Sequence, residues 1–219
     1  MRWWRRLRRT SPSLSVRETS ERVRLILDGW REVAPVDDLR IWRDSCGDVL
    51  SLATPGQGID LPQGSEEVLR NWCRELARGR GGGLIEAHQI GSSAKLIYKR
   101  LEMPGYIYTG MFITSVQAVP LVWTVVAGEH GITGEREALV TANLMNAGKL
   151  TIEDYRNSFA QDPYEPAFGG VERSVLRFMS DDECYDEQFP HHPLSRVRRV
   201  LAILPENIQV DAHAVAGLS

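Results

Sequence analysis

The sequence contains little cysteine, and the spacing of its cysteines excludes the common metal and redox motifs. Cys46, Cys73 and Cys184 are odd in number, and no two of them form a Cys-x-x-Cys pair. Zinc ribbons and thioredoxin-like sites depend on such pairs, and secreted disulfide frameworks use an even number of cysteines. This usage suits a reducing cytosol.

Long apolar runs are also missing. No stretch of about 18 apolar residues occurs, which is the length that a membrane-spanning helix needs. The basic start of the chain leads into the polar stretch 10–15, where a secretory signal would have an apolar stretch. These features predict a cytoplasmic protein.

The best-known catalytic and phosphate-binding motifs do not occur. There is no Gly-x-Ser-x-Gly elbow, no His-Glu-x-x-His and no Gly-Lys-Ser/Thr. Residues 92–95 satisfy Ser-x-x-Lys but cross a predicted hairpin, whereas that chemistry needs a helix. Residues 79–83 are rich in glycine but follow a helix and precede a strand, the reverse of the order that cradles phosphate. We therefore assign no catalytic, metal-binding or cofactor-binding residue and expect no cofactor.

The composition of the chain is that of an ordinary globular protein. Its 219 residues are 42% apolar and 25% charged, and a chain of this length can bury a core without disulfides. No internal repeat or long linker divides it. We expect a basic, disordered arm over residues 1–14 and a single α+β domain over residues 15–219.

The arm differs from the rest of the chain in charge. Outside it, 21 lysines and arginines face 29 acidic residues, so the body is not expected to bind nucleic acid. The arm suits a polyanion, and we predict at most a weak contact with the inner, anionic face of the membrane. The residues that would make this contact are Arg2, Trp3, Trp4, Arg5, Arg6, Arg8 and Arg9.

A first helix is predicted from Ser15 to about Pro35. Ser15 and Glu18 match a capping box, in which each side chain satisfies one amide at the helix start. The apolar residues that recur at helical spacing behind it are Val23, Ile26, Leu27 and Trp30.

The remaining patterns predict a sheet flanked by further helices. Segments of β-branched and aromatic residues separated by turn residues indicate strands, and stripes at a spacing of three and four indicate helices. The predicted elements are a hairpin over 39–53, a helix over 65–79, a four-strand meander over 84–127, a helix over 134–147, an irregular stretch over 151–166 and a helix after Pro193. The fold class expected is α+β, with a single antiparallel sheet of about six strands covered by helices.

The segment 121–127 is apolar on both faces, which is typical of a central strand covered on both sides. We therefore expect Trp123 to be a core residue. The residues expected to cover it are Leu139, Ala142 and Met145 on one side, and Trp72 and Leu76 on the other.

The element order over residues 16–147 resembles that of the PsbP-like proteins, a fold shared by extrinsic photosystem II proteins and a small Ran-binding nuclear import factor. The resemblance implies this fold and no activity. A second resemblance is to the C-terminal part of uncharacterised bacterial proteins, and it implies a bacterial source. The segments that carry it are Asp162-Pro163-Tyr164-Glu165-Pro166, Ser180-Asp181-Asp182, Tyr185-Asp186 and 189–198.

The acidic stretch 181–187 permits two interpretations. Its five carboxylates are oxygen ligands of the kind that hold Ca²⁺ or Mg²⁺. Ser180 and Glu183 also match a capping box, and acids in a first turn are favoured by the helix dipole. We favour helix capping by Asp181 and Asp182.

The histidines offer an alternative functional site. His192 precedes Pro193, which suits the first position of a helix, so a structural role is favoured for it. Glu129 and His130 lie where the meander meets a helix. Folding could bring them to His191, His192 and the acidic stretch.

Two functions follow. The absence of a catalytic signature favours a non-catalytic bacterial protein that binds another protein, as an adaptor, a chaperone-like protein or an immunity protein does. The alternative is a hydrolase or metal-dependent enzyme that uses Glu129, His130 and the segment 181–192.

Overall fold

The computed structural model describes residues 23–36, 39–55, 61–62, 64–116, 119–166 and 171–210. The basic arm and the predicted capping box of Ser15 and Glu18 lie outside this part of the chain. Their predicted roles stay predictions.

The chain forms an α+β fold around one large antiparallel sheet. The sheet has seven strands, one more than the approximate number expected, in the spatial order β2-β3-β4-β8-β7-β6-β5. Its strands are β2 (Arg31–Val36), β3 (Leu39–Arg43), β4 (Val49–Ala53), β5 (Gly83–Ile90), β6 (Ser93–Glu102), β7 (Gly105–Val116) and β8 (Val119–Gly128). The predicted hairpin and four-strand meander are both confirmed.

Among the described residues, four short strands pair outside this sheet. β1 (Val23–Leu25) pairs antiparallel with β11 (Ile208–Val210), and β9 (Ala160–Gln161) pairs antiparallel with β10 (Arg177–Phe178). The chain beyond Pro205 therefore docks on the body as far as Val210.

Four α-helices accompany the strands in the described part of the chain. They are α1 (Glu66–Gly79), α2 (Glu135–Asn146), α3 (Ile152–Ser158) and α4 (Pro193–Asn207). α1, α2 and α4 confirm the predicted helices. α3 corrects the expected irregular stretch, because Thr151 and Asp154 form a capping box that starts a helix there.

The helix predicted up to Pro35 is wrong within the described residues. Residues 23–25 and 31–36 are strands, and the chain turns between them at Gly29, whose φ of +82° favours glycine. Val23 is fully buried, but Ile26 is 54% exposed, which a helical stripe would not allow. The spacing of three and four arose from two short strands and a turn.

Trp123 lies on β8 and is fully buried, as predicted, in a core between the sheet and α4 that we call the first core. Its ring centroid is 5.6 Å from that of Trp42 on β3. The core residues that α4 contributes are Leu194, Val197, Val200, Leu201 and Leu204. Gly110 on β7 brings α4 close to the sheet, because an added Cβ there would lie 2.6 Å from Val197 Cγ1.

The predicted cover of Trp123 is therefore corrected. Leu139 is 47% exposed and Ala142 is exposed, whereas α2 buries Arg136 and Val140 instead. Trp72 and Leu76 pack against a second core on the other face of the sheet. α4 covers Trp123 because its core residues lie against β7 and β8 on the face to which the indole points.

The second core lies beneath α1. Leu69, Cys73 and Ala77 of this helix pack against Leu96 of β6 and Met111 of β7. Because neighbouring residues of a strand point to opposite faces, Ile97 of β6 belongs to the first core. Lys99, two residues further on, lies on the same face as Ile97, towards α4.

Candidate functional site

Five titratable side chains from distant parts of the sequence meet beside the first core. Two of them form a buried ion pair, Lys99 with Asp181. The other three are the carboxylate–histidine cluster, formed by Glu129, Glu137 and His192. The elements that position the five are β6, the turn at residues 179–181, the end of β8, the first turn of α2 and the residue before α4.

The buried ion pair has no access to solvent. Lys99 Nζ is 2.6 Å from Asp181 Oδ2, and both side chains are 0% exposed. The ammonium also lies 3.2 Å from the centroid of the Phe178 ring, a cation–π contact. Burial lowers the pKa of Lys99, and the charge of Asp181 opposes this shift. Asp181 Oδ2 also accepts a hydrogen bond from the Phe178 amide, so the carboxylate orders the turn that carries it.

Glu129 joins two loops through one carboxylate. Oε2 accepts from the Tyr106 amide at 2.8 Å, and Oε1 accepts from the Gly134 amide at 3.0 Å. Oε1 also lies 3.6 Å from His192 Nε2, which is longer than a hydrogen bond. Burial raises the pKa of Glu129, but the contact with His192 and the two amides outweigh burial and hold the pKa below its ordinary value. Glu129 is thus kept as a carboxylate.

The surroundings of Glu137 shift its pKa in the direction opposite to that of Glu129. Its Oε1 lies 3.5 Å from the Tyr108 hydroxyl, and its Oε2 is buried without a hydrogen-bond partner in the described part of the chain. Burial and the charge of Asp181 raise the pKa of Glu137. Burial also raises the pKa of Tyr108 and brings that of Tyr106 to about 12, so neither phenol ionises near neutral pH.

His192 caps α4, as predicted. Its Nδ1 accepts a hydrogen bond from the Leu194 amide at 3.3 Å, and Pro193 occupies the first helical position. Because Nδ1 is the acceptor, the ring proton of neutral His192 lies on Nε2. Nε2 faces Glu129 and has no hydrogen-bond partner among the described residues. The Tyr108 ring packs on the imidazole edge-to-face at 5.2 Å.

The carboxylate–histidine cluster has the donor types of a metal site. One ligand atom from each of its three residues lies within 4.8 Å of the other two. The enclosure of the cluster limits contact with a larger ligand, because the side chains of Glu129 and His192 are 4% and 9% exposed. Carboxylate oxygens and an imidazole nitrogen suit Zn²⁺ or Mn²⁺.

Sequence reasoning found two of the three cluster residues. Glu129 and His192 come together, whereas His130 and His191 are exposed and lie outside the cluster. Glu137 was missed, because an acid in the first turn of a helix is what the helix dipole favours in any case. One feature of the sequence could have identified Glu137: it lies three residues before Val140, which is buried on α2.

The capping box predicted at Ser180 and Glu183 is wrong. Ser180 and Asp181 are fully buried, and the Asp181 carboxylate both accepts from the Phe178 amide at the start of the turn 179–181 and forms the ion pair with Lys99. Capping by Asp182 is confirmed, since its Oδ1 accepts from the Cys184 amide at 3.1 Å.

The rest of the acidic stretch is divided between the interior and the surface. Asp186 accepts hydrogen bonds from Arg136 and Arg198, whereas Glu183 and Glu187 are exposed. The five carboxylates therefore do not converge on one ion.

Two short segments, 92–95 and 79–83, partly match a catalytic and a phosphate-binding pattern. Both lie in the structural elements that the sequence predicts for them. Ser92 lies in the turn between β5 and β6, and Lys95 pairs across the sheet with Glu86 at 3.8 Å. Residues 79–83 join α1 to β5, the expected helix-to-strand connection. None of the helices in the described ranges is long and apolar enough to cross a membrane.

Comparisons with known proteins give structural likenesses alone. No protein-family model matches the sequence, and a search of curated proteins finds no match. A mutant form of the protein Mog1 is 9% identical over 90% of this chain and 95% of its own, with a TM-score of 0.45. The Ran-binding protein Mog1p of Saccharomyces cerevisiae is 7% identical over 90% of this chain and 94% of its own, with a TM-score of 0.46.

A third likeness covers less of this chain. LpqN, described as involved in cell envelope biogenesis of Mycobacterium tuberculosis, is 13% identical over 57% of this chain and 78% of its own, with a TM-score of 0.25. Because these identities and TM-scores are low, the likenesses assign no function to this chain.

Proposed function

We propose that this protein binds another protein through one end of its sheet, as an adaptor, a chaperone-like protein or an immunity protein does. The observation that carries the proposal is an apolar tip, formed by Leu101, Met103 and Ile132. Met103 is 83% exposed and Ile132 is 80% exposed, higher values than those of the other large apolar residues exposed in the described ranges. Single exposed apolar residues are common, but neighbouring ones are typical of interaction sites.

The two loops of the apolar tip are tied together. The hydroxyl of Thr133 donates to the Pro104 carbonyl at 3.2 Å, which joins the turn after β6 to the loop before α2. Glu129 binds the amide of Tyr106 behind one loop and that of Gly134 behind the other. Loops that are already ordered lose less conformational entropy on binding, so this arrangement favours association.

The surroundings of the apolar tip resemble the edge of a protein interface. Arg100 and Glu102 form an ion pair beside it, with side chains 40% and 49% exposed. An apolar centre with a polar, solvated rim is the usual anatomy of such interfaces. The enclosed carboxylate–histidine cluster offers a substrate far less access, which favours binding over catalysis.

We also propose, from the element order and the C-terminal segments, that the architecture is PsbP-like and the protein is bacterial and cytoplasmic. The basic arm would add a weak contact with an anionic membrane. Both proposals rest on the sequence.

Site-specific crosslinking tests the binding proposal. A photoreactive amino acid is placed at Met103 or Ile132 of the full chain in the source cells. The matched control is Ile90, which is 47% exposed in β5, at the opposite end of the β5–β6 hairpin. We expect one adduct of defined mass from positions 103 and 132, and none from position 90.

Competition establishes that the adduct is specific. Excess unlabelled protein should abolish it, whereas a Met103→Asp/Ile132→Asp variant should not compete. Both changes lie on exposed side chains, so the melting temperature of this variant should match that of the original protein. Equal labelling from positions 90 and 103, or equal competition by the variant, would refute the proposal.

A further inference from the structure

The carboxylate–histidine cluster brings three potential ligands from three separate elements to one point. Glu129 directly follows β8, Glu137 lies in the first turn of α2, and His192 precedes α4. Their ligand atoms lie within 4.8 Å of one another. Ligands held at about 2.0 to 2.2 Å from a tetrahedral zinc ion are roughly 3.3 to 3.6 Å apart, so side-chain movements of about 1 Å would bring all three to coordination distance.

Two of the ligand atoms are buried and lack partners. His192 Nε2 makes no hydrogen bond in the described part of the chain, although its side chain is only 9% exposed and faces Glu129. Glu137 Oε2 is equally without a partner there. Buried polar atoms are nearly always satisfied in folded proteins, so a pair of unsatisfied ones at the same point indicates a missing ligand.

The charge of this region favours a cation. The carboxylates of Glu129, Glu137 and Asp181 all act on a single buried ammonium, that of Lys99. The nearby Arg136 is engaged by Asp186 and by backbone carbonyls. A dication would balance the excess negative charge without moving either ion pair.

We propose that Glu129, Glu137 and His192 bind one transition-metal dication, and that Zn²⁺ is the ion that fits best. Zinc binds both imidazole nitrogen and carboxylate oxygen, and a site with three protein ligands leaves the fourth position to water. Glu129, Glu137 and His192 are each only partly buried as whole residues, so an ion has access to the cluster. No metal-binding residue was assigned from the sequence, where Glu129 and His192 entered only the alternative interpretation, a metal-dependent enzyme.

Zinc binding changes the tautomer of His192. Coordination through Nε2 requires a lone pair there, so the ring proton moves to Nδ1. A proton on Nδ1 opposes the Leu194 amide and loosens the 3.3 Å cap of α4. Metal ligation releases far more free energy than a helix cap, so the exchange is favourable.

Calorimetric titration of the full chain with ZnCl₂, after removal of metal by a chelator and dialysis, tests the site. We expect one equivalent of Zn²⁺ to bind. Loss of a group that merely supports a ligand lowers metal affinity about 10- to 100-fold, so Glu137→Gln and His192→Asn should each lower it at least that much. Asparagine is itself a good helix cap, so His192→Asn preserves the start of α4.

The controls use two histidines that are each adjacent in the sequence to a cluster residue, Glu129 or His192. His130→Asn and His191→Asn change exposed residues outside the cluster and should bind Zn²⁺ as the original chain does. Circular dichroism confirms that each variant is folded. Absence of stoichiometric binding, or equal affinity in His192→Asn, would overturn the proposal. So would Ca²⁺ binding as tight as that of Zn²⁺, because carboxylates alone would then hold the ion.

Nitrogen NMR of the imidazole gives a readout that does not depend on any variant. Without metal, the proton of neutral His192 should lie on Nε2. At saturating Zn²⁺ it should lie on Nδ1. A ring that keeps its proton on Nε2 in saturating zinc is not a ligand, and the proposal would then fail.

Discussion

Two regions lie side by side under α4 and are held together in opposite ways. In the first core, Trp42 and Trp123 pack against the apolar face of the helix. In the neighbouring ion-paired region, Lys99, Arg136 and Arg198 are buried with carboxylates and backbone carbonyls. The first region is stabilised by removal of apolar surface from water, and the second depends on every buried charge finding a partner.

The two regions should therefore respond differently to substitution. An apolar core loses stability in proportion to the atoms removed, and the loss is local. A buried ion pair is insensitive to loss of both charges but very sensitive to loss of one. Single and paired substitutions in each region measure this difference.

The largest effect is expected in the first core. Trp123→Ala removes a fully buried indole that packs on Trp42, so we expect the free energy of unfolding to fall by about 3 to 5 kcal/mol. Chemical denaturation measures it. Trp123→Phe should lose much less, because the indole Nε1 has no hydrogen-bond partner in the described ranges. Unchanged stability in Trp123→Ala would place the indole at the surface.

The ion-paired region should show a comparable loss from a single charge. Lys99→Met leaves the carboxylate of Asp181 buried without its cation, which typically lowers stability by about 3 to 5 kcal/mol. In the double variant Lys99→Met/Asp181→Asn we expect part of this stability to return. An asparagine oxygen can still accept the hydrogen bond from the Phe178 amide.

An exposed ion pair provides the control for Lys99→Met. Arg78 and Glu75 pair on α1 with side chains 47% and 55% exposed. Arg78→Met should change stability by less than about 1 kcal/mol, because such pairs are screened by solvent. If the double variant at Lys99 and Asp181 is less stable than Lys99→Met alone, the contrast between the two regions does not hold.

Close packing between α4 and the sheet should give a smaller effect. Gly110→Ala places a Cβ 2.6 Å from Val197 Cγ1 and 2.7 Å from Leu201 Cδ1. Overpacking of this kind lowers stability by about 1 to 3 kcal/mol, and Val197→Ala in the same chain should relieve part of it. Gly128→Ala is the control, because the nearest atoms there are 3.9 Å away. Equal melting temperatures for the two alanine variants would contradict the close approach of α4 to β7.

The contrast between apolar and charged regions also explains which parts of the structure the sequence could predict. Strands β3 to β8 and helices α1 and α4 follow from local patterns, because their apolar residues recur with the period of the element. The first helix was predicted wrongly, since Val23, Ile26 and Leu27 reach the same spacing through a strand and a turn at Gly29. Local periodicity cannot distinguish these two cases without the partner strand, β11, which lies at the other end of the described chain.

The candidate site was less predictable for a physical reason. Lys99 and Asp181 are 82 residues apart, and a lysine in a strand usually indicates a solvated face. Asp181 was interpreted as a helix cap because its local sequence fits one. Charged residues are assigned to the surface by default, and only their tertiary partners reverse that assignment. Glu137 was missed for the same reason.

The smallest effect on stability is expected at Asp182, which is half exposed although its neighbour Asp181 is buried. Its side chain is 49% exposed and lies 2.9 Å from Arg177. Burial raises the pKa of Asp182, but the amide of Cys184 and the charge of Arg177 lower it more, so the pKa lies below its ordinary value of 3.8. A lowered carboxyl pKa means that the charged form stabilises the fold.

The pH dependence follows from that direction. The stability that Asp182 contributes is fully present above its ordinary pKa, and is lost as the pH falls through the lower pKa of the folded state. Because the pair is exposed, we expect Asp182→Asn to lower the free energy of unfolding at pH 7 by less than about 1 kcal/mol. The difference from the original chain should shrink when both are measured at pH 3, and also in high salt at pH 7. A difference that is the same at both pH values would mean that the charge of Asp182 does not stabilise the fold, because asparagine preserves the cap on Cys184. Asp182 would then differ from Asp181 in two respects, its exposure and the absence of a contribution from its charge to stability.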